Sequence, residues 1–268
     1  MNGITLSDRE FADIRGLLYR IAGINLGAEK KALVCGRLEK RLLQTGAKSY
    51  RDYFSLATQR GNERELTAAL DLLTTNETYF FREPKHFEFL RNHLRESDQP
   101  GRQWRIWSAA SSSGEEAYSI AMTLADTIGG ERWEVMGSDL STRVLERAAS
   151  AVYPLARLDD MPPDYLRRFC LKGTGPEEGR FLIEGALRRR VRFTQVNLNT
   201  ALPELGRFDV IFLRNVLIYF DAETKRAVIR RVTDLLNPGG VFIVSHSESL
   251  FGLAPHLSQL RPSIYRVA

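Results

Sequence analysis

From Trp104 onward the chain alternates short apolar runs of strand length with segments of helical periodicity, and this alternation restricts the possible folds more than any other feature. Arg105-Ile-Trp-Ser reads as a strand, Gly114 to Ile128 as a helix, Trp133 to Gly137 as a strand and Thr142 to Ala151 as a helix. Such βαβα order requires a mostly parallel sheet, because parallel neighbours can be joined only by a crossover. The alternation then stops. Between Tyr153 and Arg190 lie Pro154, Pro162 and Pro163, a turn from Lys172 to Gly179, and an antiparallel-looking pair, Arg180–Glu184 with Arg190–Phe193. A run of this length and character reads as a small inserted antiparallel β-subdomain, about residues 154–190, not as a loop. The sheet resumes with strands over 191–196 and 208–213, a helix from Ala222 to Leu236 ended by Asn237-Pro-Gly-Gly, a strand over 241–244 and a closing hairpin over 257–267.

The first 75 residues have a different period. Ser7-Asp8-Arg9-Glu10 is a capping box, with serine at N-cap and glutamate at N3, and Phe11, Ile14, Leu17, Leu18 and Ile21 follow at helical spacing to about Gly23. A second helix over 29–44 turns Leu33, Val34, Leu38 and Leu42 inward, and Lys30, Arg37 and Arg41 form an outward stripe. Residues 49–60 and 62–74 read as two more helices, and Pro84 opens another through Phe87, Leu90 and Leu94. The expected division is a helical unit over 1–75, a linker and helix over 76–95, and an α/β domain over 96–268.

No apolar run approaches the roughly 18 to 20 residues that span a bilayer, and the N-terminus lacks a basic region followed by an apolar one, so a cytoplasmic protein is expected. Cys35 and Cys170 have no CxxC or histidine company, which predicts two buried thiols and neither a disulfide framework nor a zinc site. His86, His93, His246 and His256 are scattered without ligand spacing; no metal is expected, and His246 reads as a core hydrogen-bonding residue. Nine basic residues lie between Arg15 and Arg51 against only Glu29 and Glu39, a patch that suits an anionic partner or is simply a solvated face.

Ser108-Ala-Ala-Ser-Ser-Ser-Gly114-Glu-Glu116 follows the first sheet strand and opens a helix, where small residues let a backbone approach a ligand. Asp139 ends the next strand, placed to accept both hydroxyls of a ribose. Glu116 puts a negative charge in the first helical turn facing the pocket, which would repel a phosphate and favour a cationic nucleoside such as S-adenosylmethionine. Neither GxGxxG nor GxxxxGK[ST] occurs. Just ahead of this domain, Thr74-Thr-Asn-Glu-Thr-Tyr-Phe-Phe-Arg82 interleaves small polar groups, aromatic residues expected to wall a pocket, and one guanidinium.

These blocks, with Thr74–Glu83, Trp107–Met122, Ser138-Asp139, Phe208–Asp221 and Ser245-His-Ser-Glu248 in that order, resemble the CheR family of chemotaxis receptor glutamate methyltransferases over nearly the whole chain. The resemblance implies a class I methyltransferase (Rossmann-like) sheet, an all-helical N-terminal domain that docks on the receptor, and a small inserted β-subdomain. It implies S-adenosylmethionine as cofactor, S-adenosylhomocysteine as product, and cofactor contacts from Asn76, Thr78, Arg82, Glu116, Asp139, Asn197, Leu198, Arg214 and Asn215. Arg82 and Tyr219 would sit at the reacting methyl; either could instead only bind cofactor or pack. Ala110 and Ser111 stand where many members carry glycine and cysteine.

The partners implied are the acidic helical bundle of a chemoreceptor, met by Lys30, Arg37, Lys40 and Arg41, and a receptor C-terminal pentapeptide captured at the Gly173-Thr-Gly175 turn by strand addition. No nucleic acid and no membrane insertion are expected, and the protein is expected to be a monomer. Two alternatives stand beside this reading: a methyltransferase with another acceptor, and a non-catalytic module that senses S-adenosylmethionine. Against a nucleic-acid acceptor, the basic patch lacks interleaved aromatics and no Asn/Asp-Pro-Pro-Tyr/Phe block is present.

Overall fold

A computed structural model describes residues 4–74, 77–158 and 160–267. Four helices come first: α1 (Asp8–Ala22), α2 (Lys31–Thr45), α3 (Tyr50–Ala57) and α4 (Glu63–Leu73). The capping box forms as expected: Glu10 N–H donates to Ser7 Oγ at 3.2 Å and Ser7 N–H to Glu10 Oε2 at 3.0 Å. The apolar stripe Phe11, Ile14 and Leu18 packs on Val34, Leu38 and Leu42 of α2, Tyr53 of α3, and Leu70 and Leu73 of α4. Gly23 ends α1 at φ 71°, and a Cβ there would lie 2.8 Å from Asn199 Oδ1 and 2.9 Å from Thr224 Cγ2. Only glycine brings this helix end so close to the sheet domain.

Helix α5 (Lys85–Ser97) leads into β1 (Trp104–Ser108), α6 (Glu115–Thr127), β2 (Trp133–Asp139) and α7 (Thr142–Ser150). After an excursion through β3 (Val152–Pro154), α8 (Pro163–Phe169), β4 (Cys170–Lys172), β5 (Arg180–Ile183) and α9 (Gly185–Arg188), the chain returns as β6 (Val191–Gln195). It finishes with β7 (Phe208–Phe212), α10 (Ala222–Thr233), β8 (Leu236–Ile243), β9 (Leu257–Arg261) and β10 (Ile264–Val267). The main sheet has the order β6-β2-β1-β7-β8-β10-β9, parallel except for β10, which runs antiparallel to both neighbours. Successive residues of its central strands point to opposite faces. Ile106, Val210 and Phe212 pack with α5, α6 and the subdomain, while Trp107 and Ile211 pack with α10.

Several local expectations need correction. Arg180–Ile183 does not pair with 190–193; it lies between Val152–Pro154 and Cys170–Lys172 in a separate antiparallel sheet, and Val191–Gln195 pairs parallel with β2 at the edge of the main sheet. The subdomain strands therefore begin at Val152. Helix α10 stops at Thr233, because Leu236 already pairs with Phe208 and an irregularity between Phe208 and Val210 absorbs the Pro-Gly-Gly stretch. Cys35 and Cys170 are free but half-buried. Arg37 and Arg41 are not on an outward stripe. Arg37 donates to the carbonyls of Leu72 (3.1 Å) and Thr74 (3.0 Å), and Arg41 pairs with Glu65 of α4, while Lys30 and Lys40 are exposed. The period of α2 placed these arginines toward water; the polar ends of α4 drew them back.

Candidate active site

A cleft opens at the carboxyl ends of β1, β2, β6 and β7, the position where parallel α/β sheets bind ligands. Thr78, Arg82, Glu116, Asp139, Asn197, Leu198, Arg214, Asn215 and Tyr219 all line it. Asn76 lies outside the described residues. Of the aromatic run, only Tyr79 reaches the cleft. Phe80 instead packs edge-on against Tyr153 at 4.9 Å, and Phe81 packs against Phe87 at 5.0 Å, so these rings anchor the linker in the core and do not wall the pocket. The apolar walls come from Ile24, Leu70, Phe87, Val196 and Phe220.

The loop after β1 is shaped by backbone demands. Ser112 has φ 47° and Gly114 has φ 94°; a Cβ on Gly114 would sit 2.8 Å from Ala148 Cβ and 2.9 Å from the Tyr153 hydroxyl. The loop is tied to the neighbouring strand by Ser111 N–H donating to Ser138 O at 2.8 Å and Ser112 N–H donating to Asp139 Oδ2 at 3.0 Å. Asp139 Oδ1 accepts from Ser141 N–H at 3.0 Å. Burial raises the Asp139 carboxyl pKa, and these two N–H donors oppose that rise. Ser111 Oγ is buried with no hydrogen-bond partner among the described residues.

The electrostatics differ from the expectation of a bare Glu116. Glu116 Oε1 accepts from Ser108 Oγ at 2.7 Å, and Glu116 Oε2 accepts from Arg214 at 2.7 Å. The buried Arg214 guanidinium also lies 3.3 Å from Glu83 Oε2 and donates to the Arg82 carbonyl at 2.6 Å. Two carboxylates thus share one guanidinium, and Glu116 is not an isolated acid. A cation is still favoured over a phosphate, but less strongly than an unpaired Glu116 would make it. Burial would raise the Glu83 carboxyl, but Arg214, the Ser245 hydroxyl (2.8 Å) and His246 N–H (3.0 Å) outweigh it and hold its pKa at about 2.

Two histidines that are distant in sequence meet beside this chain of charges, contrary to the scattered reading. His86 and His246 have ring centroids 4.5 Å apart, and both flank Glu83. His86 Nε2 is 2.7 Å from Ser263 Oγ, which is 3.1 Å from His246 Nδ1; His246 makes this contact but is exposed, not a core residue as expected. Ligand atoms of Glu83, His86 and His246 lie within 4.8 Å of one another, the spacing a cation needs. Arg214 already supplies positive charge to the same Glu83 oxygen. Burial and that guanidinium lower the His86 pKa to about 3, so the ring is neutral at neutral pH.

Sequence reasoning missed the lining contributed by the helical domain. Ala22 and Ile24 at the end of α1 and Asp71 of α4 face the cleft, and Asp71, although buried, pairs with Arg143 of α7 at 3.3 Å. An aspartate amid the apolar run Leu70-Asp71-Leu72-Leu73 was the available signal. The two domains are also joined by Asn197 Nδ2 donating to Ile21 O at 2.7 Å and by Asn25 N–H donating to Tyr219 O at 2.8 Å.

Comparison with known proteins matches residues 9–74 to the family described as "CheR methyltransferase, all-alpha domain" and residues 76–265 to "CheR methyltransferase, SAM binding domain". The "Chemotaxis protein methyltransferase" of Salmonella typhimurium is 41% identical, with 99% of this chain and 92% of that protein covered. Its counterpart in Escherichia coli is 40% identical over 99% and 93%. "Chemotaxis protein methyltransferase 2" of Pseudomonas aeruginosa is 43% identical over 92% and 89%. With a matching helical domain, a matching cofactor domain and relatives alike from end to end, this chain belongs to the CheR family of S-adenosylmethionine-dependent methyltransferases.

Proposed function

We propose that the protein transfers the methyl group of S-adenosylmethionine to glutamate side chains of chemoreceptors, forming methyl esters. The observation that carries this reading is the meeting of Arg82, from the linker, and Tyr219, from the turn after β7, at one cleft with Asp139 and Asn197 on its sheet side. A glutamate, with a reference pKa of about 4.3, arrives ionised and needs no general base, so catalysis reduces to holding carboxylate and sulfonium methyl in line. Arg82 holds the incoming carboxylate by a charge-assisted hydrogen bond, and Tyr219 orients it. Asp139 takes the ribose hydroxyls, Asn197 and Leu198 the adenine side, and Asn76, Thr78, Glu116, Arg214 and Asn215 complete the cofactor's surroundings. Labelled methyl transfer to receptor-containing membranes is the test. Label that mild alkali releases as methanol supports a carboxyl ester; alkali-stable label or no transfer refutes it.

Docking is assigned to residues 1–75, cofactor closure to 76–95 and chemistry to 96–268, in a cytoplasmic monomer that carries the pathway's methyl transfer without nucleic acid or metal. Among the four basic residues of the docking patch, Lys30, just ahead of α2, and Lys40 are exposed and form the direct contact, while Arg37 and Arg41 shape the helix pair behind them. Charge reversal of Lys30 and Lys40 should raise KM for receptor and leave cofactor affinity unchanged; unaltered receptor kinetics would refute this role. Capture of a receptor pentapeptide is supported by β4, which lies at the edge of the small sheet with Leu171 exposed. Its turn depends on Gly173, where a Cβ would lie 2.0 Å from Glu177 O, and on Gly175 at φ 59°. Calorimetry with aromatic-containing receptor tail peptides decides whether that edge is used.

A further inference from the structure

Arg82 stands between two residues in left-handed backbone conformation, Phe81 at φ 56° and Glu83 at φ 60°. Neither is glycine, asparagine or aspartate, so sterics oppose both and the surroundings must over-determine them. Phe81 is held by its buried ring and by its N–H donating to Ser119 Oγ at 3.0 Å. On the other side the anchors converge on Glu83. Its Oε1 accepts from Ser245 Oγ at 2.8 Å; its Oε2 accepts from His246 N–H at 3.0 Å and lies 3.3 Å from Arg214. Arg214 in turn donates to the Arg82 carbonyl at 2.6 Å and reaches Glu116 at 2.7 Å. Among the described residues the Arg82 guanidinium has no comparable clamp of its own. It donates to Glu77 O at 3.0 Å, within the same segment, and rests 5.7 Å from the Tyr79 ring centroid. Its aim is therefore set by the backbone on either side.

We infer that Glu83 is a positioning residue for methyl transfer: bound to Arg214 and to the loop after β8, it fixes the left-handed turn that points Arg82 into the cleft. This rests on the reading of Arg82 as the group that holds the acceptor carboxylate. Glu83 touches neither cofactor nor acceptor in this role. It acts through the Arg82 carbonyl, which Arg214 holds, and through the backbone geometry at 81–83. Glutamine in its place keeps the shape and one acceptor oxygen but loses the charge that binds Arg214, so the turn relaxes.

The test is a double-mutant cycle on the full-length protein with S-adenosylmethionine and receptor-containing membranes. Glu83→Gln should lower kcat about 100-fold, the cost of misplacing a reacting group by about 1 Å. S-adenosylhomocysteine affinity and KM for receptor should be retained, because the substitution leaves Asp139, Asn197 and Leu198 at the cofactor and the docking helices of residues 1–75 unaltered. In an Arg82→Ala background the same substitution should cost nothing further, since two residues acting as one unit do not lose activity independently. Ser245→Ala, which removes one of Glu83's donors without touching its charge, should show a smaller kcat loss that also vanishes in Arg82→Ala, and it serves if Glu83→Gln fails to fold. Wild-type kcat in the single variants, or losses that multiply with that of Arg82→Ala, would overturn the role of Glu83 alone. Undiminished turnover by Arg82→Ala itself would instead sink the reading of Arg82, and this inference with it.

Discussion

Replacing Arg214 with methionine tests the electrostatic account of the site most directly. The substitution keeps much of the side-chain volume beside Phe87 but removes the one guanidinium shared by Glu83 and Glu116, together with the donor to the Arg82 carbonyl. Removing one partner of a buried ion pair leaves an uncompensated charge and costs about 3 to 5 kcal/mol, a large part of the 5 to 15 kcal/mol typical of a folded domain. The pH dependence carries the sharper signature. In the native protein Glu83 is held at about 2 against an ordinary 4.5, so its contribution is complete above the ordinary value and is lost as pH falls toward 2. Without Arg214 the largest of the influences that lower it is gone while burial stays, so the folded-state pKa of Glu83 rises. The variant then gains relative to wild type as acid protonates that carboxyl. Urea unfolding followed by tryptophan fluorescence at about pH 7 and about pH 5 should show the deficit shrinking at the lower pH. A deficit under about 1 kcal/mol, or one that does not change between the two pH values, would refute the reasoning.

Three further outcomes follow from the same geometry. His86 is buried neutral with its pKa lowered to about 3, so its contribution is complete above its ordinary 6.5 and is lost as pH falls through that window; His86→Gln should flatten the acid side of the stability profile, read from urea midpoints. Ser111→Ala removes a buried hydroxyl that has no partner among the described residues and should stabilise the protein by about 1 kcal/mol in the same assay. Asp139→Asn leaves one amide oxygen for the two N–H donors of Ser112 and Ser141 and weakens the acceptor offered to a ribose. It should reduce S-adenosylhomocysteine affinity about 10- to 100-fold by calorimetry, and unchanged affinity would remove Asp139 from the cofactor site.

The site residues Glu116, Asp139, Asn197, Arg214 and Asn215 gather at one cleft because their motifs are strand ends or a helix start, and a parallel sheet brings such ends to one edge; Thr78 and Arg82 reach it from the linker. What the motifs left out are charge partners. Nothing near Glu116 in sequence indicates Arg214, which is 98 positions away, or that Glu83 shares it. The same limit explains the misread arginines of α2. Helical period says which residues share a face, but whether that face meets water or the carbonyls of Leu72 and Thr74 depends on where α4 lies. It explains the histidines as well, since His86 and His246 are brought together only when α5 and the loop after β8 pack.

The sequence alone determined the class of the protein. Alternating strand and helix periods sufficed for a mostly parallel sheet with a helical domain and an inserted subdomain, because these are local patterning requirements, and the blocks Thr74–Glu83, Trp107–Met122 and Phe208–Asp221 carried the resemblance that implies a methyltransferase. Only the tertiary structure decided how the charges are shared: Arg214 between Glu83 and Glu116, Asp71 with Arg143 across the domains, Arg41 turned onto Glu65. Electrostatic partnership depends on separation in space and on burial, and neither quantity exists until distant segments have packed.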